Sequence, residues 1–127
     1  MALQLSFRLK SGEHAIPLAR VHLVVGFAKL MGEHDDYFLG WLCFHDEWVP
    51  VFDLNQVACE QPAPETFGTR IILVRTGHVA PVQLIGLVAA GVTDTIADGS
   101  TGATLFDLDG YLPMLMNMIP DAPAVVE

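Results

Sequence analysis

The sequence predicts an all-β fold, a barrel or sandwich of short strands. Two observations carry this prediction. Short apolar runs recur at close spacing with Gly-rich turns between them, and two of the runs are unambiguous. Gly40 to Leu54 reads as strand, polar turn, strand, and Arg70-Ile-Ile-Leu-Val-Arg75 as a buried strand. There is no internal repeat and no low-complexity segment.

Each element follows from its residues. Leu3 to Lys10 alternates apolar and polar residues, the period of a half-buried strand. Ser11-Gly12-Glu13 is a turn, and His14-Ala15-Ile16 opens a second strand. Leu18, Val21 and Val25 have a spacing that fits a helical turn after Pro17, where proline is tolerated. Gly32 to Asp36 is a polar loop. In the hairpin, Trp41, Leu42 and Phe44 lead into His45-Asp46-Glu47, and Trp48 to Phe52 leaves it. Pro50 cannot donate to a ladder, so its strand is expected at an edge or exposed there. Asn55 to Cys59 fits a short helix, and Glu60 to Gly68, with two prolines, a loop.

After the Arg70 strand, Thr76-Gly77-His78 turns and Val82 to Val88 returns as another strand. Gly91 to Ile96 predicts a further short strand, Asp98 to Gly102 a loop, and Thr104 to Leu108 a last strand. Pro113 to Ile119 is helix-like and closed by Pro120.

Composition bounds the function. The 127 residues suit a single domain, 1–127, that buries roughly two-thirds of its unfolded surface. Hydrophobic residues make up 52% and charged residues 17%, enough for a filled core. A net charge of −9 argues against nucleic acid, which needs clustered Lys and Arg. All six basic residues lie before position 76, and the last 52 residues carry six carboxylates. Such asymmetry keeps an apolar protein soluble and can steer a basic partner. No secretory leader is expected, because Arg8 and Lys10 interrupt an alternating segment. Val79 to Val92 is too short and too interrupted by Pro81, Gln83, Gly86 and Gly91 to span a bilayer. A cytoplasmic location without membrane insertion is expected.

Chemistry-bearing residues are few. His34-Asp35-Asp36 and His45-Asp46-Glu47 offer metal-ligand types, but no second motif fixes a ligand count. Cys43 and His45 would share one side of a strand, yet an activated thiol needs an electropositive setting and this one is acidic. Asp107-Leu-Asp109-Gly110 begins like a calcium loop without its later ligands. Cys43 and Cys59 form neither a disulfide framework nor a metal cluster. No cofactor, no metal and no catalytic residue is therefore expected; a metal- or thiol-dependent β-barrel enzyme is the competing class. Trp41 and Trp48 read as barrel wall or, for one of them, an interface anchor. Met114, Met116 and Met118 alternate, so a helix cannot bury all three.

Set end to end, these pieces resemble the CheW family of chemotaxis coupling proteins. Ala15-Ile16-Pro17-Leu18-Ala19-Arg20-Val21 is similar to its early Ile-Pro motif. Gly40, Pro50, Val51, Asp53 and Leu54 fall in register with its Gly…Pro-Val-x-Asp-Leu hairpin, Phe44 replacing a leucine. Ile71 to Val74, Gly86 to Val92 and Phe106 to Leu112 resemble its later segments. The resemblance covers residues 3 to 112. It implies two SH3-like five-stranded β-barrel subdomains with short helices, sharing one core. The chain lacks most of a hairpin region between Ile96 and Leu105, so the second barrel is expected to be trimmed.

The resemblance implies a non-enzymatic adaptor that couples a CheA-type histidine kinase to chemoreceptors. Kinase contact, to the regulatory domain, would fall at Val21, Leu23, Val25 and Gly40. Contact with the receptor's cytoplasmic tip would fall at His45, Asp46, Gly86, Leu87 and Val88. The chain departs from the family at this turn. His45-Asp46 stands for Arg-Gly, Cys43 for Asn, Leu23 for the family's Glu and Ala90 for its Asp. The family's Arg and Glu look like a charge pair, and losing both partners together can be nearly neutral. A diverged relative of an accessory pathway, acting as a homodimeric module, is the alternative; exposed edge strands of a trimmed barrel would form the dimer.

Overall fold

The computed structural model describes residues 3–9, 12–26, 29–32, 35–59, 69–77, 84–92, 96–97 and 104–120. Among them nine strands and two α-helices follow in order: β1 Gln4–Leu9, β2 Gly12–Pro17, β3 Val21–Gly26, β4 Phe38–Phe44, β5 Glu47–Asp53, α1 Leu54–Cys59, β6 Arg70–Arg75, β7 Leu84–Ala89, β8 Ile96–Ala97, β9 Thr104–Leu105 and α2 Leu108–Asn117. They build two sheets, one of order β3-β6-β7-β5-β4 and one of order β8-β1-β2-β9. This is the all-β, two-barrel arrangement expected. Among the described residues the outer strands β8 and β9 of the second sheet are two residues long, and residues 98–103, where the trimming is expected, lie outside them.

Two clusters cover the two faces of the five-stranded sheet. Trp41, Phe52, Ile72, Val74, Ile85 and Leu87 join Leu5, Phe7 and Leu9 of β1, Leu54 of α1 and Leu112 and Leu115 of α2 in the larger one. Leu42, Val49, Val51, Ile71, Leu73 and Val88 form the smaller one on the opposite face. Successive strand residues point to opposite faces. A sheet buried on both sides therefore needs apolar residues without alternation, which explains Ile71-Ile72-Leu73-Val74. β1 shows the complementary pattern: Leu5, Phe7 and Leu9 face the core, as its alternation predicts. The edge strands β3 and β4 approach where the rings of His22 and Phe44 meet at 5.9 Å.

Several expectations give way to tertiary pairing. The helical turn after Pro17 is confined to a 3₁₀ turn at Leu18–Arg20. Val21 to Gly26 is strand, because its β-branched residues pair with β6, as in Val24↔Ile72 and Val25↔Ile71. Pro50 is buried on an interior strand rather than at an edge. It is tolerated because Trp41, its cross-strand partner, turns both backbone groups away toward Met31 at 2.8 Å. On the other side the ladder with β7 opens only at Val51↔Gly86.

Of the strand expected over Gly91 to Ile96, Gly91 is a bend at φ 60, Ile96 belongs to the strand Ile96–Ala97, and residues 93–95 lie outside the described residues. Before that bend Arg8 N–H donates to the Ala90 carbonyl at 2.7 Å. The last strand stops at Leu105, because Asp107 caps α2 by accepting from Gly110 N–H at 3.1 Å. α2 thus starts five residues before Pro113 and carries that proline inside it. Val82 and Gln83 of the strand expected over Val82 to Val88, and the Glu60 to Gly68 loop, lie outside the described residues. Among the described residues no helix is long and apolar enough to cross a membrane.

One glycine is fixed by the smaller core. A Cβ on Gly86 would stand 2.9 Å from Cγ2 of both Ile71 and Val51. Gly86→Ala is expected to destabilise the fold by about 1–3 kcal/mol through overpacking. Gly26→Ala, whose added carbon meets nothing within 4 Å, should change stability by less than about 0.5 kcal/mol. Urea unfolding of both variants measures the difference, and equal midpoints would refute it.

Candidate partner-binding surface

The hairpin β4–β5 is positioned from both ends. At its base Asp35 Oδ1 accepts from Tyr37 and Phe38 N–H at 2.8 and 2.7 Å, closing the turn that opens β4. Leu39 is an extra residue between the pairs Phe38↔Phe52 and Gly40↔Val51, a bulge. Gly40 follows it at φ 128, with space for a Cβ already taken by Leu30 Cβ at 2.9 Å and the Met31 carbonyl at 3.0 Å. Only glycine suits that backbone and that approach. At the far end of β5, Asp53 Oδ1 accepts from Asn55 and Gln56 N–H at 3.0 and 3.2 Å, capping α1. Leu54 beside it is wholly buried.

The tip is a two-residue turn in which both His45 (φ 49) and Asp46 (φ 63) are left-handed. This is the hairpin geometry that matches strand twist, and it normally favours Asn-Gly. His45 packs its ring edge-on against Phe44 at 4.2 Å, and Phe44 also meets the ring of His22 of β3 edge-on at 5.9 Å. Because His45 leaves the strand conformation, the same-side relation expected with Cys43 does not extend to it.

A cleft of about 500 Å³ opens at this rim. His22, Phe44, His45, Glu47, Arg75, Gly77 and Leu84 line it. Two arginines hold its floor together. Arg75 Nη1 donates to the carbonyls of Ala19 and Val21 at 2.9 and 3.1 Å. Arg20 returns the contact through Nε and Nη2 to the Arg75 carbonyl at 3.1 and 2.9 Å. Its Nη1 reaches Asp109 Oδ1 of α2 at 2.8 Å. The pair locks the start of β3 to the end of β6 and ties both to the C-terminal helix. No sequence pattern marks this clamp, since its partners stand 54 to 89 residues apart.

The nine residues singled out from the sequence divide sharply. Leu23 is 44% exposed on the edge strand β3, with Val21 and Val25 half-buried on either side. His45 and Asp46 are exposed at the turn. Gly40, Gly86, Leu87 and Val88 are buried, the last three between β5 and β6, and present no side chain to a partner. Sequence reasoning missed His22, Phe44, Glu47 and Arg75, because the cleft joins three separate turns and edges. The metal reading finds no support: among the described residues no three His, Cys, Asp or Glu side chains come together. His34 lies outside them. Trp41 is buried, Trp48 is half-buried against the larger core, and Met114 is the exposed methionine of α2.

Two outcomes follow from this geometry. Asp46→Gly removes a left-handed side chain and should stabilise the fold by about 1 kcal/mol, a rise in Tm of roughly 3–5 °C by calorimetry. Asp109→Asn should cost no more than about 1 kcal/mol because the pair is exposed, whereas Arg75→Met, which strips charged donors from two carbonyls, should cost about 1–3 kcal/mol. Equal losses in chemical denaturation would contradict that ranking.

No curated protein matches the chain. Among solved structures it is similar to the scaffolding protein TtCheW from Thermoanaerobacter tengcongensis, at 20% sequence identity and a TM-score of 0.62. The match covers 76% of this chain and 60% of that one, so the chain spans less than two-thirds of its relative's length. The CheW-like domain family matches residues 4–97. That span holds the hairpin with its capping Asp53, both β3 and β6, and the whole rim cleft, and the chain belongs to the CheW-like domain family.

Proposed function

We propose that this protein is a non-catalytic adaptor of chemotaxis-type signalling, coupling the regulatory domain of a CheA-type histidine kinase to the tip of a chemoreceptor on the cytoplasmic side. The observation that carries the reading is β3. It is an edge strand of the five-stranded sheet, with Leu23 44% exposed between the half-buried Val21 and Val25. An apolar strand edge with unpaired backbone groups is a template for another chain. The kinase domain would dock along it, and Gly40 would act from the opposite edge by shaping β4. The receptor would meet His45 and Asp46 at the hairpin tip, with Gly86, Leu87 and Val88 as the rigid strand behind them. Membership of a family of scaffolds supports the adaptor role over an enzyme.

Leu23→Asp leaves the two cores untouched and places a charge on this edge. It should weaken capture of the kinase regulatory domain by at least about thirtyfold if Leu23 is an interface anchor, with the far-UV spectrum unchanged. Normal capture by the variant, or none by the parent, would refute the placement. A second reading, self-association along β9, draws on Leu105, 55% exposed on a two-residue edge strand. Light scattering over a concentration series tests it, and a monomer at high concentration removes it.

A further inference from the structure

β3 pairs with β6 in two registers. Val21 stands opposite Val74, but Leu23, Val24 and Val25 stand opposite Leu73, Ile72 and Ile71. His22 is thus an extra residue, a bulge. Were the second register to continue, His22 would face Val74 and Val21 would face Arg75. Val74 is wholly buried in the larger core, so that ladder would carry His22 inward and Val21 out. In the structure Val21 packs against the larger core instead, and His22 is exposed with its ring against Phe44 of β4.

Two arginine side chains occupy the backbone that the regular ladder would bring together. Arg75 Nη1 holds the Ala19 and Val21 carbonyls at 2.9 and 3.1 Å. Arg20 holds the Arg75 carbonyl through Nε and Nη2 at 3.1 and 2.9 Å. Leu23 follows the bulge at once. It is 44% exposed although Leu73, opposite it, is wholly buried in the smaller core. A bulge bends its strand and sharpens the local twist, which re-aims the neighbouring side chain.

We propose that Arg75 is a positioning residue for the partner-binding edge: by gripping the Ala19 and Val21 carbonyls it holds the bulge at His22, and the bulge presents Leu23. The proposal rests on the reading that β3 docks the kinase domain. Arg75 acts through the backbone of β3 and needs no contact with the partner. One nitrogen serves both carbonyls, so the grip requires a cation with several donor hydrogens rather than a guanidinium fork.

The test uses the full chain and the kinase regulatory domain. Arg75→Met removes the grip. Cross-strand NMR contacts should move from Val21–Val74 to His22–Val74, and capture should weaken about tenfold, the scale of coupling through residues that touch no ligand. Arg75→Lys, whose ammonium also offers several donors, should keep the parent's pairing and bind within about twofold of it. Deleting His22 makes the ladder regular while leaving Val21↔Val74 and Leu23↔Leu73 in place, so it should also weaken capture about tenfold. Adding Arg75→Met to that deletion should cost nothing further, whereas an arginine that only stabilises the fold gives losses that add. Should Arg75→Met fail to fold, the deletion and the lysine variant carry the test. Unchanged pairing or normal capture in Arg75→Met, normal capture after the deletion, no rescue by lysine, or additive losses would each overturn the proposal. Leu23→Asp in the same preparation separates the two ideas. If it loses capture while Arg75→Met does not, the adaptor reading stands without the positioning residue; no capture by the parent removes both.

Discussion

The structure depends on one sheet being buried on both faces. β5, β6 and β7 lie at its centre, and their side chains feed two clusters at once. Ile72 and Val74 point into the larger core, while Ile71 and Leu73 point into the smaller. The parallel pairing of β5 with β7 runs through Val51↔Gly86, Phe52↔Leu87 and Asp53↔Val88. It brings Val51 so close to Ile71 that only a glycine fits at position 86. A sheet built this way has no face left for a partner. What remains accessible is its edge strands and the turns at its rim.

At that rim, long-range polar contacts replace apolar packing. Arg20 and Arg75 exchange hydrogen bonds with each other's neighbouring backbone, and Asp109 extends the contact to α2. Exposed ion pairs contribute little by themselves. Charged donors to backbone carbonyls contribute more, and they fix geometry as well as energy. The clamp holds His22 in place beside Phe44, and Phe44 in turn supports His45.

The motif that ties this chain to its family is mostly structural. Gly40 admits the Lys29–Gly32 segment against β4, Pro50 occupies a ladder position where an N–H is dispensable, Asp53 caps α1, and Leu54 enters the core. None of the four is exposed. Leu23 and His45, where the chain departs from the family, both stand on the surface. The first set is held by burial and backbone contacts, whereas Leu23 stands free of both cores and His45 is held by the left-handed turn.

The sequence by itself determined what local rules control. The alternation of β1, the uninterrupted apolar run of β6, the polar break between β4 and β5 and the short helix after Asp53 all stand where period and turn chemistry put them. It failed where pairing overrode local preference. Residues 21 to 26 have a partial helical spacing but pair with β6. Pro50 reads as an edge residue but lies inside the sheet, because Trp41 turns its hydrogen bonds away from it. Asp107 falls in the strand expected over Thr104 to Leu108 but caps a helix that runs through Pro113. The tertiary structure alone decided which named residues reach the surface, burying Gly40 and Gly86 to Val88 and exposing Leu23, His45 and Asp46. It also brought His22, Phe44 and Arg75 together. Exposure and proximity depend on strand order, and strand order is set by contacts between residues dozens of positions apart, which no local pattern encodes.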